Sequence, residues 1–306
     1  MDDRLQVSAE TVAALVAEQF PQWAHLSVEP VEHSGWDNRS FRLGETMLVR
    51  LPSASRYVAQ VEKEQRWLPH LAKHLPYLVP EPLALGKPGK GFPWPWSIYR
   101  WLEGQPLALE PHGADLNVLA IDVARFLNAL HSVDAGDGPA AGPHNFYRGG
   151  SLTIYDEETR AALIAVSDEI DAEAARDIWQ KALHSGWTGK PVWVHGDIAE
   201  GNLLMKDRRL AAVLDFGSSG VGDPSADLIL AWTLLDREGR LIFRQSLPLD
   251  AETWQRGRGW ALWKALITLA AHRQNNALLA EWSRKTIREV FSDDFQDNQA
   301  FTEFAP

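Results

Sequence analysis

The chain contains no cysteine, which removes disulfides, thiolate nucleophiles and Cys-ligated zinc from consideration. It also lacks any run approaching the roughly 20 apolar residues of a membrane span. Its opening, MDDRLQVSAETVAALV, starts acidic and lacks the basic first region of a secretory leader. No membrane partner and a cytoplasmic location are therefore expected. Basic residues are in deficit, with 30 Lys and Arg against 41 Asp and Glu and a net charge of −11. Neutralising a nucleic-acid backbone needs clustered Lys and Arg, so nucleic acid is not an expected partner. The same balance favours a cationic ligand, although such a charge also serves solubility. What is abundant is tryptophan: 14 of 306 residues, in a chain 45% hydrophobic, enough to fill a sizeable globular core.

Periodicity divides the chain in two. Ser8 is placed to cap a helix over residues 11–18, with Val12, Leu15 and Val16 on its apolar stripe. Three strand-like pieces follow at 27–33, 40–43 and 46–51, separated by the turns Gly35-Trp36-Asp37-Asn38 and Gly44-Glu45. A helix is expected over 58–75 and strands over 83–86 and 96–101. Beyond Gly104 the pattern turns helical, at 115–130, 159–183, 224–235, 251–271 and 278–291, with a Gly- and Pro-rich loop at 135–150. Short β-type runs at 192–195, 203–205 and 212–216 interrupt it. The expectation is an α+β protein of two lobes, a small antiparallel β lobe over 1–100 and a larger, mainly helical lobe over 101–306, with a seam at 99–104. The last segment, 292–306, carries Asp293, Asp294, Asp297 and Glu303 without a basic residue; it either is disordered or lines something cationic.

The chemistry concentrates in Val192-Trp193-Val194-His195-Gly196-Asp197-Ile198-Ala199-Glu200-Gly201-Asn202-Leu203-Leu204-Met205 and in Asp215-Phe216-Gly217. Each places polar side chains at the end of an apolar run. Two carboxylates and an amide oxygen suit Mg²⁺, which wants hard oxygen ligands and leaves positions for phosphates and water. Phosphoryl transfer asks for such an ion, a group orienting the acceptor hydroxyl, and a cover over the nucleotide. The order H-x-D-x-x-x-x-N then D-F-G is the catalytic-loop spacing of protein kinases, with Gly196 in place of their usual Arg.

These motifs resemble the aminoglycoside phosphotransferase family, the antibiotic-kinase branch of the protein-kinase-like fold, and the likeness runs along nearly the whole chain. The resemblance implies Asp197 as catalytic base or hydroxyl-orienting group, Asn202 and Asp215 as holders of Mg²⁺, and ATP or GTP as donor. It implies that Gly35-Trp36-Asp37-Asn38 covers the phosphates, and that Tyr99-Arg100-Trp101-Leu102-Glu103-Gly104 is the hinge. Backbone groups of Arg100 and Leu102 would bond the purine. Ala129-Leu130-His131 would end a core helix, with Gly222-Asp223-Pro224 and Asp227-Leu228 following the metal loop. Two departures stand out. Arg50 occupies the strand position where the family has Lys, with Glu64 as its expected partner and Glu62 as fallback. The phosphate loop lacks G-x-G-x-x-G, leaving Gly35, backbone N–H groups and the Ser34 hydroxyl to cradle phosphate.

His195 reads as a packing and hydrogen-bonding residue of the loop, and Asp227 as a support for it. His70 and His74 have helical spacing but no third ligand, so zinc is not expected. Trp254, Trp260 and Trp263 read first as a core stripe and second as a substrate wall. Glu200 is a candidate for touching a cationic acceptor. An aminoglycoside is the first acceptor expected, then a macrolide or other antibiotic, then a metabolite. A catalytically silent nucleotide-binding pseudokinase is the rival from another class. A protein-serine kinase is disfavoured because no A-P-E segment follows Asp215.

Overall fold

The structure is a computed structural model describing residues 4–32, 35–109 and 114–293. Helix α1 (Ala9–Gln19) begins where expected, with the Ser8 hydroxyl accepting from Thr11 N–H. Strands β1 (Val28–Pro30), β2 (Asn38–Leu43), β3 (Met47–Pro52), β4 (Pro82–Gly86) and β5 (Trp96–Arg100) form one antiparallel sheet, ordered β1-β2-β3-β5-β4. Side chains alternate across a strand, and β3 uses that alternation to divide two tasks. Met47, Val49 and Leu51 join Val12, Leu15 and Val16 of α1 in a small core. Leu48 and Arg50 face the other way, towards helix α2 (Val58–Leu71).

Helix α2 ends at Leu71, short of the expected 75. Pro69 has no N–H to give its last turn, and the chain tightens through Lys73 N–H to His70 O and His74 N–H to Leu71 O. Its Leu68 and Leu71, with Val79 and Tyr99, belong to the large core of the second lobe, so the hydrophobic boundary precedes the seam at 99–104.

That larger lobe is built on α3 (Leu116–Ser132), α4 (Asp156–Ala165), α5 (Ala172–His184), α6 (Leu230–Thr233), α7 (Arg237–Ser246), α8 (Ala251–His272) and α9 (Ala277–Ser292). The single helix expected over 159–183 is two. The Asp171 carboxylate accepts from Glu173 and Ala174 N–H and starts α5 afresh. The helix expected over 224–235 is a 3₁₀ turn, Pro224–Leu228, followed by the short α6. Helix α8 is largely buried, packed between α9, α5 and α4. No helix among the described residues is long and apolar enough to cross a membrane.

Short strands carry the motif loops. β6 (Gln105–Pro106) pairs with β8 (Leu203–Lys206), which pairs with β9 (Arg209–Val213); β7 (Val192–Val194) pairs with β10 (Gly220–Gly222). The register Leu203 opposite Val213 brings the residue before β8, Asn202, next to the residues after β9, Leu214 and Asp215.

Candidate active site

The loop after β7 is ordered from beneath. Asp227, fully buried, accepts from Gly196 N–H at 2.7 Å and from His195 N–H at 3.1 Å, while His131 Nε2, near the end of α3, lies 3.2 Å away. A carboxylate holding two backbone donors in the interior fixes the loop's path. His195 is buried and uses both ring nitrogens. Nδ1 accepts from Asp197 N–H at 3.2 Å and Nε2 donates to Leu214 O at 2.9 Å. It therefore ties one motif loop to the other and has no nitrogen left for a substrate. Gly196 explains why Arg of the protein-kinase pattern is absent. Its φ is +80°, and a Cβ there would stand 2.5 Å from Ser218 O and 2.8 Å from Arg148 Cβ.

The Asp197 carboxylate, one-third exposed, has two distinct sides. Oδ2 accepts from Asn202 Nδ2 at 3.1 Å, and the same amide donates to Asp197 O at 2.9 Å. Oδ1 accepts from Lys264 Nζ at 3.1 Å, from the middle of α8. Burial pushes the Asp197 pKa up, but the charges of Lys264 and Arg148 outweigh it and bring it down to about 2. Asn202 spends its NH₂ on Asp197, and its amide oxygen has no hydrogen-bond partner among the described residues. Asp215 sits in the left-handed region (φ 61°, ψ 73°) and its carboxylate accepts from Gly217 N–H at 3.3 Å. A non-glycine residue held there is strained. Among the described residues no three His, Cys, Asp or Glu side chains form a protein cage for a metal. One carboxylate and one amide oxygen fit Mg²⁺, which takes few protein ligands.

Arg50 reaches this centre from the small lobe. Nη1 is 3.4 Å from Glu64 Oε2 and Nη2 is 3.2 Å from Asp215 Oδ1. Glu64 also accepts from the Tyr99 hydroxyl. Burial works against the Arg50 charge, yet Glu64 and Asp215 more than offset it and raise its pKa. Glu62 is exposed; the partner is Glu64. The residue between them, Lys63, donates to Gly217 O at 2.6 Å and Ser219 O at 2.9 Å, binding α2 to the loop after Asp215. Burial lowers its pKa to about 8.

Other expected residues are less engaged. Gly35 stands in open space, Ser34 lies outside the described residues, and the acidic tail beyond Asp293 lies outside them too. The loop is anchored by Ser53, whose N–H donates to Asp37 O at 2.8 Å and whose hydroxyl donates to Trp36 O at 2.6 Å. Burial first, then the charges of Asp215 and Asp197, pushes the Asp37 carboxyl up to about 6. Arg100 N–H is committed to Glu81 O at 2.9 Å and Trp101 N–H to Thr46 O at 2.8 Å. The Arg100 N–H is therefore not free to meet a ligand. Leu102 N–H makes no backbone hydrogen bond among the described residues. Glu200 opens the 3₁₀ turn Glu200–Asn202 and makes no hydrogen bond or ion pair among the described residues.

Lys264, Lys63 and Arg148 were not expected from sequence. Lys264 had a signal, as the lone charge in Trp260-Ala261-Leu262-Trp263-Lys264-Ala265-Leu266-Ile267. Trp254, Trp260 and Trp263 are core residues, at most 5% exposed.

Comparison with known proteins gives the arrangement its context. No curated protein sequence matches the chain. Similar solved structures include the GDP complex of aminoglycoside 2'-phosphotransferase-IIIa, 20% identical, covering 93% of this chain and 99% of that one at a TM-score of 0.67. The streptomycin–ATP–APH(2")-IIa ternary complex is 18% identical, covering 94% and 99% at 0.62. Macrolide 2'-phosphotransferase MphH from Brachybacterium faecium is 22% identical, covering 91% and 97% at 0.59. The model of the APH phosphotransferase enzyme family matches residues 27–281. The chain thus belongs to that family of kinase-type phosphotransferases and has its protein-kinase-like fold.

Proposed function

We propose that the chain transfers the γ-phosphoryl group of ATP or GTP, with Mg²⁺, to a hydroxyl of a small molecule. The observation that carries this reading is the convergence at one point of Asp197, Asn202, Asp215 and Arg50, from three separate stretches of chain. In it, residues 1–100 bind the nucleotide, 101–306 supply the catalytic loops and the acceptor site, and 99–104 is the hinge. The Leu102 N–H and the Arg100 carbonyl are the backbone groups offered to the purine. Gly35 and its neighbours cover the phosphates.

Asn202 Oδ1 and the Asp215 carboxylate would hold Mg²⁺, which when bound spreads charge away from the β- and γ-phosphates. Arg50, fixed by Glu64, offers a guanidinium to the same oxygens. Asp197, kept ionised, accepts a hydrogen bond from the acceptor hydroxyl and aims its oxygen at the phosphorus. As the new P–O bond forms and the bond to the leaving diphosphate breaks, the hydroxyl proton passes to Asp197. Glu200, in the turn between Asp197 and Asn202, would touch the acceptor in this reading. The intact Arg50–Glu64 and Arg50–Asp215 pairs favour a working kinase over a silent nucleotide-binding protein, since Arg fills the lysine position without losing either partner.

The test incubates the chain with γ-labelled ATP or GTP, Mg²⁺ and a panel of hydroxylated small molecules. Label should appear on an acceptor with the wild type and fall by orders of magnitude with Asp197→Ala. Nucleotide binding with no transfer and no hydrolysis would assign the chain to the silent class.

A further inference from the structure

The acceptor side of Asp197 carries positive charge, against the chain's net −11. Arg148 lies in the loop before α4, its stem packed on Gly196 beside Asp197. It is 9% exposed, with its guanidinium carbon 4.6 Å from the Trp263 ring and 5.1 Å from that of Trp260. Its Nε and Nη1 are buried without a hydrogen-bond partner, and the guanidinium makes no ion pair among the described residues. The carboxylates that feel its charge are those of Asp197 and Glu158. The first is engaged by Lys264; the second accepts from Trp263 Nε1 at 2.9 Å.

A buried, unpaired cation is costly, because burial removes water without supplying a counter-charge. Two aromatic faces recover part of that cost. Burial accordingly lowers the Arg148 pKa. Lys264 holds Oδ1 of Asp197 and Asn202 holds Oδ2, and the charges of Lys264 and Arg148 both act on that carboxylate. An anion accepted by Lys264 therefore sits across the Asp197 carboxylate from Asn202, the residue proposed to hold Mg²⁺.

We propose that Arg148 and Lys264 form an anion-binding subsite for the acceptor, which carries a carboxylate or phosphate group near the hydroxyl to be phosphorylated. This rests on the kinase reading above and replaces the cationic acceptor expected from overall charge. A guanidinium and an ammonium both make charge-assisted hydrogen bonds to either anion. A polycationic aminoglycoside would bring its ammonium groups against two fixed cations. Lys264 also exchanges partners when such an acceptor enters, moving from Asp197 to the anion and freeing Oδ1 for the hydroxyl.

Calorimetry on the full chain, saturated with Mg²⁺ and a non-hydrolysable ATP analogue, tests the proposal. The probes are hydroxycarboxylates and sugar phosphates, their methyl esters or dephosphorylated parents, and kanamycin. At least one charged probe should bind tenfold or more tightly than its uncharged counterpart. Arg148→Met and Lys264→Met should each erase that preference, and Arg148→Lys should retain part of it. The proposal is overturned if no charged probe is preferred, if the preference survives both Met substitutions, or if kanamycin binds tightest. It is also overturned if anions bind only when the nucleotide is omitted, since the two cations would then belong to the donor's phosphates. Failure of the nucleotide analogue to bind tells against the kinase reading itself; the same probes titrated without it then decide the subsite alone. Thermal melts accompany each variant, and if Arg148→Met does not fold, Lys264→Met carries the comparison.

Discussion

The two flanks of Asp197 treat their cations differently. On the nucleotide side, Arg50 is held by Glu64 and Asp215 at 3.4 and 3.2 Å, and Tyr99 braces Glu64 in turn. On the acceptor side, Lys264 shares Asp197, and Arg148 rests on tryptophan rings with two donors unused. One flank is satisfied before any ligand arrives; the other is not. Structures keep unsatisfied buried charge where function needs it and offset the cost elsewhere. The contrast predicts that substitutions on the first flank cost stability, whereas replacing the unpaired Arg148 on the second costs little.

The largest effect expected is on the carboxylate between the flanks. Asp197→Ala should lower kcat by about 10²–10⁴ while leaving nucleotide affinity near that of the wild type, read from steady-state kinetics and nucleotide titration. Next comes Glu64→Ala, which strands the Arg50 guanidinium and the Tyr99 hydroxyl in a buried place. A loss of about 3 kcal/mol in denaturant unfolding is expected, with a raised nucleotide KM. A variant as stable as the wild type would show that the first flank is not braced as described.

Lys264→Met sharpens the comparison through pH. An aspartate with a depressed folded pKa adds stability above its unfolded value of 3.8, and that stability is lost as pH falls towards about 2. Without the Lys264 charge the folded pKa rises, so the acidic limb of kcat/KM should move to higher pH and acid unfolding should begin earlier. An unmoved limb would remove Lys264 from control of Asp197. The smallest effect is expected from Arg148→Met. Replacing a buried unpaired charge with an apolar chain of similar length should change stability by no more than about 1 kcal/mol, and in the stabilising direction if at all. A loss comparable to that of Glu64→Ala would place Arg148 among the bracing residues.

The sequence revealed one flank far better than the other, for a physical reason. Asp197 and Asn202 share one short loop, and Asp215 follows the second strand of the hairpin that loop leads into, so spacing alone brings them together. Arg50 and Glu64 lie on adjacent elements, where strand alternation and helix position decide who meets whom. Lys264 meets Asp197 across 67 residues of chain through the packing of α8, which no local pattern encodes. Arg148 sits in a loop whose course is set by Asn145, bonded to Gly142 N–H and Arg148 O. The fold followed the same division. Strands β2 and β3 were legible from alternation and β5 from its compact run of Trp, Ile and Tyr, whereas β10, Gly220-Val221-Gly222, is a strand because β7 pairs with it. Helix α7 escaped notice because Gly239 weakens its first turn; the Asp236 carboxylate, accepting from Gly239 N–H at 2.8 Å, starts it nonetheless.

The convergence of Asn202 and Asp215 beside Asp197 is tested most directly by Mg²⁺-dependent binding of ATP, measured by calorimetry for the wild type, Asn202→Ala, Asp215→Ala and Asp197→Ala. The account predicts that the magnesium-dependent part of the affinity disappears in the first two variants and survives in the third. Magnesium dependence untouched by Asn202→Ala and Asp215→Ala, in chains that melt like the wild type, would contradict it.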